Sequence, residues 1–281
     1  MPATFQGIGV HSGTPVRMTV YPAPLSHGIV FERLDQLQQE DAKIIVASFN
    51  HVTQTQLSTT ISNQQGDSVS TIEHLMAAFM GCGITNARID IDGPEVPIMD
   101  GSSAPFVTVF HACGIDVQSD VMPVFTVTEK VCVPSDRGMD HGYVSYEPFD
   151  SRLFAINFDF GGRLSHTPHA GSVEFNLDDD DFGAYLAHCR TFGFLTDGQM
   201  LQAKGFAKGA SLDNTVVLQA DGTTMNELRY PNELVGHKML DVLGDMALSN
   251  CTIVGKYTAH NPSHQLNNLL LRRLLQGASA V

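Results

Sequence analysis

The stretch from Val235 to Asp245, VGHKMLDVLGD, most limits what this chain can fold into. Residues four apart on a helix lie one above the other, so a helix here aligns His237, Asp241 and Asp245 in one stripe. Val235, Met239, Val242, Leu243 and Met246 are spaced to cover the remaining sides with apolar groups. A helix that apolar belongs inside the protein, which leaves its polar stripe at least partly buried. Buried carboxylates and imidazoles need partners. The residues leave two readings open: His237 and Asp241 pair with each other on a wet face, or they hold a divalent cation. A third donor stands at His74, in Ser70-Thr71-Ile72-Glu73-His74-Leu75, where an acid beside a histidine opens another apolar helix. Two histidines and one aspartate leave the fourth position of a tetrahedral zinc site to water.

Composition narrows the function classes. A chain of 281 residues with 43% hydrophobic and 16% charged residues can bury a sizeable core, as two domains or one large one. Its formal charge of -14 argues against binding nucleic acid or an anionic membrane. It leaves room for a small anionic substrate held by a few local cations. The start, Met1 to Gly7, has no basic segment followed by an apolar run, so no signal peptide is expected. No stretch approaches the roughly 18 apolar residues of a spanning helix, so no integral membrane segment is expected either. The five cysteines, Cys82, Cys113, Cys132, Cys189 and Cys251, are odd in number and never in CxxC spacing. That argues against a disulfide framework or a thiolate zinc site and for a cytoplasmic protein. Any metal is then held by nitrogen and oxygen. We expect a monomer.

Along the chain, alternation predicts short strands from Val16 to Val20, Gly28 to Glu32 and Ala42 to Val46. A tight turn from Gly7 to Gly13 carries His11, either as an incidental surface histidine or as part of a site. The helix opened by Ser70 runs to about Gly81. There Ser70 and Glu73 fit a capping box, in which Glu73 only satisfies a free amide; catalysis is the competing reading. A strand over Asn86 to Asp92 follows, then a turn-rich loop to Ser102 and a helix from Ala104 to Ala112. The polar segment from Asp116 to Pro123 divides the chain into domains 1–121 and 122–281. Beyond it, Val124 to Val133, Tyr143 to Tyr146 and Leu153 to Phe160 read as consecutive strands of an antiparallel sheet. His166 and His169 are expected at the surface, and the acids Asp178 to Asp181 at the positive end of a helix starting at Phe182. Arg190 to Phe194 ends that helix; a strand follows from Asn214 to Leu218. The central helix spans Asn232 to Ser249, a strand Thr252 to Thr258, and Ser263 caps a terminal helix beginning at His264. Several strands and two helices in each half indicate an α+β chain with two domains of similar build.

Six segments together resemble the UDP-3-O-acyl-N-acetylglucosamine deacetylases, the LpxC family of lipid A biosynthesis. They are Gly9-Val10-His11-Ser12-Gly13, Ser70 to Leu75, Pro97-Ile98-Met99-Asp100-Gly101-Ser102-Ser103-Ala104-Pro105-Phe106, Arg190-Thr191-Phe192-Gly193-Phe194, His237 to Asp245, and Ser263-His264-Gln265-Leu266-Asn267-Asn268. They occur in the family's order and span nearly the whole chain. The resemblance implies two α/β sandwich domains like ribosomal protein S5 domain 2, with helices packed between sheets. It implies a zinc amidase that removes an N-acetyl group from a UDP-glucosamine bearing a 3-O-acyl chain; by its donor types, a His-His-Asp set also accepts Fe2+ or Co2+, with availability in the cell deciding. His74, His237 and Asp241 match its metal ligands, Glu73 its general base, and His264 its general acid supported by Asp245. Thr191 matches the residue that helps bind the oxyanion, and Lys238 a cation near the diphosphate.

The chemistry of these residue types agrees. Amide hydrolysis needs a base for the water proton, an acid for the leaving amine and donors for the oxyanion. His11 is a second candidate near the diphosphate, and Phe160 a candidate to stack on uracil. Leu195, Ala207, Ala210 and Val217 are candidate walls of an apolar passage for the acyl chain. Two departures touch this picture: Ser58 stands where the family often has cysteine, and Gly161-Gly162-Arg163-Leu164-Ser165 differs from the family's usual loop, which bears on chain-length preference. A zinc deacylase for another acylated sugar has the same residue requirements, whereas a non-catalytic nucleotide-sugar module predicts a lost ligand or base.

Overall fold

A computed structural model describes residues 1–35 and 44–276. The Ala42–Lys43 end of the third expected strand lies outside the described residues; its remainder forms a strand at Ile44–Val46.

The fold is α+β, with two main sheets. In the first, the order is Ala3–Ile8, Pro15–Pro22, Ala87–Ile91, Ile29–Arg33, Ile44–Val46. Alternation decides which faces are buried: Val16, Met18 and Val20 point inward while Pro15 and Arg17 face out. The second sheet runs Val131–Pro134, Tyr143–Glu147, Thr252–His260, Arg152–Phe158, Gly171–Asn176. It is mixed, which corrects the expected antiparallel meander. Thr252–His260 inserts between Tyr143–Glu147, to which it is antiparallel, and Arg152–Phe158, to which it is parallel. The expected strand from Val124 to Val133 is likewise two strands. Val124–Thr126 pairs with the start of Thr252–His260, and Val131–Pro134 pairs with Tyr143–Glu147.

Among the described residues there are five α-helices: α1 (Glu73–Gly81), α2 (Ala104–Cys113), α3 (Leu195–Ala203), α4 (Glu233–Met246) and α5 (His264–Leu275). Here α2 rests on Ala3–Ile8, α4 and α5 rest on the second sheet, and α1 packs along α4. One continuous apolar core runs from Ala3 to Leu274 through all these layers. Of the α4 residues, only Lys238 is not fully buried. The α1–α4 approach depends on Gly244, where a Cβ would lie 2.0 Å from the Glu73 carbonyl oxygen. No helix among the described residues is long and apolar enough to cross a membrane.

Four local expectations need correction. The capping box does not form: α1 starts at Glu73 without a side-chain cap, and Ser70 Oγ donates to the Pro94 carbonyl instead. Thr71, at φ 56°, turns the chain away from the helix there. Asp181 alone caps a helical turn, a 3-10 turn at Phe182–Ala184, while Asp178 pairs with Arg152 at 2.7 Å and Asp179 and Asp180 bond Asn176. Phe192–Phe194 is a strand parallel to Val216–Leu218, and α3 follows it. Helix α3 has no fully buried residue, so no periodicity marked it. His166 is exposed as expected, but His169 is buried, with Nδ1 unpartnered.

Candidate metal and acid–base site

The polar stripe of α4 faces the head of α1, as close packing at Gly244 requires. His74 Nε2 lies 3.7 Å from Asp241 Oδ1, and His237 Nε2 lies 3.4 Å from the same oxygen. One donor atom from each of the three fits within 4.8 Å of the others, and all three residues are buried. His237 Nδ1 lies 3.0 Å from the Cys189 carbonyl, which makes it the protonated nitrogen and leaves Nε2 with its lone pair toward Asp241. Burial, together with the neighbouring His237, pushes His74 down to about 3, and burial lowers His237 as well. Both rings are therefore neutral, as metal ligands must be.

Asp241 is held well below the usual carboxylate range: burial opposes its charge, but the Lys238 ammonium, foremost among its neighbours, outweighs it. Its Oδ2 accepts from Lys238 Nζ at 2.7 Å, while Oδ1 is buried with no hydrogen-bond partner. A buried, ionised oxygen without a donor is costly, and here it sits between two neutral imidazole nitrogens. The set fits a divalent cation. It does not fit a wet surface face, because the three residues are at most 5% exposed.

Beside this cluster stands a second group. Glu73 Oε1 lies 3.8 Å from His264 Nε2, and Glu73 Oε2 accepts from the Thr59 amide at 3.0 Å. His264 is the first residue of α5, after Ser263, whose Oγ accepts from the Leu266 amide. Its Nδ1 bonds Asp245 Oδ2 at 2.8 Å. Asp245 is itself fixed: Thr59 Oγ1 donates to Oδ1 at 2.6 Å and Asn267 Nδ2 to Oδ2 at 2.8 Å. Tyr257 OH then donates to Asn267 Oδ1 at 2.7 Å. Burial raises Glu73 to about 7, with Asp241 and Asp245 adding to the rise and His264 tempering it. Burial opposes the charge on His264, but the Asp245 carboxylate outweighs it and the ring rises to about 9. At neutral pH the pair thus offers an acceptor on Glu73 and a proton on His264.

Both groups open into one cavity of about 660 Å³, which Thr191, Lys238 and Phe160 also line. Phe160 stacks on Phe194, with centroids 5.4 Å apart. An adjoining cavity of about 350 Å³ is largely apolar and shares Glu73, His74, Thr191 and Phe192 with the first. Leu195, Ala207, Ala210 and Val217 line it. So does His11, which does not line the cavity that Lys238 lines; its Nδ1 is buried without a partner. Sequence reasoning gave no role to Thr59, Asn267, Tyr257 or the Cys189 carbonyl. Asn267 had one available signal, since three residues after His264 it shares a helix face with it.

Comparison with known proteins follows the same segments. The LpxC family, described as UDP-3-O-acyl N-acetylglycosamine deacetylase, matches residues 1–276. A UDP-3-O-acyl-N-acetylglucosamine deacetylase of Citrifermentans bemidjiense is 42% identical over 98% of this chain and 87% of its own length. Proteins of the same name are 38% identical in Myxococcus xanthus, over 99% of this chain and 85% of theirs, and in Haemophilus influenzae, over 98% and 88%.

Proposed function

The chain belongs to the LpxC family of UDP-3-O-acyl-N-acetylglucosamine deacetylases, and from that premise we propose how its buried residues hydrolyse the N-acetyl amide of that nucleotide sugar. The protein is a hydrolase of lipid A synthesis. One observation carries the assignment of residues: a three-donor metal cluster and a carboxylate–imidazole pair, from both halves of the chain, face one cavity.

His74 and His237 through Nε2, and Asp241 through Oδ1, would hold the metal. We assign it as zinc from the nitrogen and oxygen donors and their number; the same set accepts Fe2+. When bound, the ion supplies a Lewis acid that polarises the amide carbonyl and makes water acidic. The residues do the rest. Glu73 takes the proton of the attacking water as its oxygen bonds to the acetyl carbon. Thr191 offers a hydroxyl to the carbonyl oxygen as negative charge gathers there. As the carbon–nitrogen bond breaks, His264 passes its Nε2 proton to the amine, and acetate and the free amine leave. Asp245 keeps the His264 ring charged and oriented through Nδ1. Lys238 holds Asp241 ionised and is the cation we place near the diphosphate. Phe160 is our candidate for uracil contact, and His11 a further polar group beside the acyl chain. The apolar cavity takes that chain.

The test is deacetylation of UDP-3-O-acyl-N-acetylglucosamine by metal-stripped protein, before and after one equivalent of zinc, with zinc binding measured in parallel by calorimetry. Zinc should restore turnover, and His237→Ala should neither bind tightly nor turn over. Tight zinc binding without turnover would mean another acylated substrate.

A further inference from the structure

A buried carboxylate outside this chemistry ties the head of α1 to the loop that walls the apolar cavity. Glu95 is 2% exposed. Its Oε1 accepts from the His11 amide at 2.9 Å and from Thr71 Oγ1 at 3.0 Å, and its Oε2 accepts from the Ser12 amide at 2.9 Å. One carboxylate spanning two successive amides fixes the turn from Val10 to Gly13 as a unit. Glu95 itself stands on a firm base: the Ser70 amide donates to the Pro94 carbonyl at 2.9 Å, and the Val96 amide to the Ser70 carbonyl at 3.1 Å.

The same turn holds the cavity loop through its carbonyls. The Gly209 amide donates to the Val10 carbonyl at 3.0 Å and the Lys208 amide to that of His11 at 3.3 Å. Contact is so close that a Cβ at Gly209 would lie 2.3 Å from the Gly9 oxygen. On either side of this seam, Ala207 and Ala210 line the apolar cavity. The turn's amides point to Glu95 and its carbonyls to the loop, so the position of the loop follows from the grip of the carboxylate.

We propose that Glu95 is a positioning residue for acyl-chain selectivity, setting the width of the apolar cavity through the turn from Val10 to Gly13. This rests on the reading that the cavity takes the 3-O-acyl chain. Glutamate is required because all three partners are donors. Glutamine would aim an NH2 group at one of them, and aspartate is a methylene too short to reach across the turn.

Steady-state kinetics with two substrates test it: UDP-N-acetylglucosamine carrying a long saturated 3-O-acyl chain, and its 3-O-acetyl analogue. Wild type, Glu95→Gln and Gly209→Ala are compared, with amide hydrogen exchange followed at Lys208 and Gly209. Glu95→Gln should raise KM for the long-chain substrate about 10-fold, the order expected for one lost charge-assisted hydrogen bond. Its KM for the 3-O-acetyl analogue and both kcat values should stay within about 2-fold, and exchange at both amides should quicken. Gly209→Ala, which parts loop from turn with Glu95 intact, should lose the same selectivity. A Glu95→Gln enzyme with wild-type selectivity, or with kcat lowered equally on both substrates, overturns the positioning role and leaves the cavity reading standing. Wild type showing equal kcat/KM on both substrates overturns the cavity reading and the proposal together. Should Glu95→Gln fail to fold, unchanged selectivity in Gly209→Ala overturns the proposal alone.

Discussion

Replacing Gly244 with alanine probes how the site is assembled. A Cβ there would meet the Glu73 carbonyl oxygen at 2.0 Å and the Glu73 Cα at 3.0 Å, where ordinary contact starts at 3.4 Å. The obstacle is backbone, so no side chain can swing aside; α1 and α4 must separate by about 1 Å, the scale on which packed interfaces resist. Overpacking of this kind costs about 1–3 kcal/mol or more, and alanine returns about 1 kcal/mol through its better helix propensity. A contact this short belongs at the upper end, so we expect a net loss of about 2 kcal/mol. That corresponds to a fall in Tm of about 3–4 °C by calorimetry for a chain of this length. The same separation moves Glu73 and His74 on α1 away from His237 and Asp241 on α4. A displacement of that size costs about 10²-fold in kcat, and zinc affinity should fall with it. A variant with unchanged Tm and kcat would refute the account in which helix contact at Gly244 sets the site geometry.

Two further predictions concern charge. Glu233 is fully buried and pairs with Arg190 at 2.7 Å; burial opposes its charge, but Arg190 and the Arg229 and Arg190 amides outweigh it and hold its carboxyl below 4.5. A folded value below the unfolded one gives stability that is present above pH 4.5 and lost as pH falls through the folded value. Glu233→Gln, leaving Arg190 buried and unpaired, should cost about 3–5 kcal/mol near pH 7 in urea titrations, and the gap to wild type should narrow in acid. A gap constant down to pH 3 or so would exclude this linkage. For Asp245→Asn, the reasoning concerns catalysis. In the proposed mechanism Glu73 acts ionised and His264 protonated, so turnover should rise as pH passes about 7, hold to about 9 and fall as pH rises through that value; without the Asp245 carboxylate the alkaline limb should move toward neutral pH and kcat should drop about 10- to 100-fold. An unmoved limb would show that Asp245 does not set the charge on His264.

Much of this arrangement was legible because it follows from local rules. The 3.6-residue repeat of Val235, Met239, Val242 and Met246 marks α4 and fixes His237, Asp241 and Asp245 on one stripe whatever surrounds them. Ser263 announces the start of α5 through its cap, and so places His264 at a helix end. What escaped is pairing between distant segments. Nothing near Thr59 hints that its hydroxyl will meet Asp245, and nothing in Tyr257 hints at Asn267, since both contacts exist only once α4, α5 and the second sheet have packed. The insertion of Thr252–His260 between earlier strands is equally invisible to alternation, which reports burial and not neighbours. Ser70 misled for a related reason: the capping-box pattern was present, but the Pro94 carbonyl offered its hydroxyl a tertiary partner, and Glu73 turned to Thr59.

The two helices that meet at Gly244 come from opposite halves of the chain, and this has a consequence for synthesis. Glu73 and His74 leave the ribosome early, while His237, Asp241 and His264 are among the last groups made. Of the three proposed ligands a nascent first half carries only His74, too few donors to retain a cation at this site. On the proposed ligand set, selection of the metal would therefore be deferred to the finished fold and depend on which ion is at hand when α4 closes on α1. An ion that binds only there stabilises the closed state in proportion to the logarithm of its free concentration over its Kd, so on the proposed ligand set the ion that completes the site would also act as a latch between a helix made early and one made late.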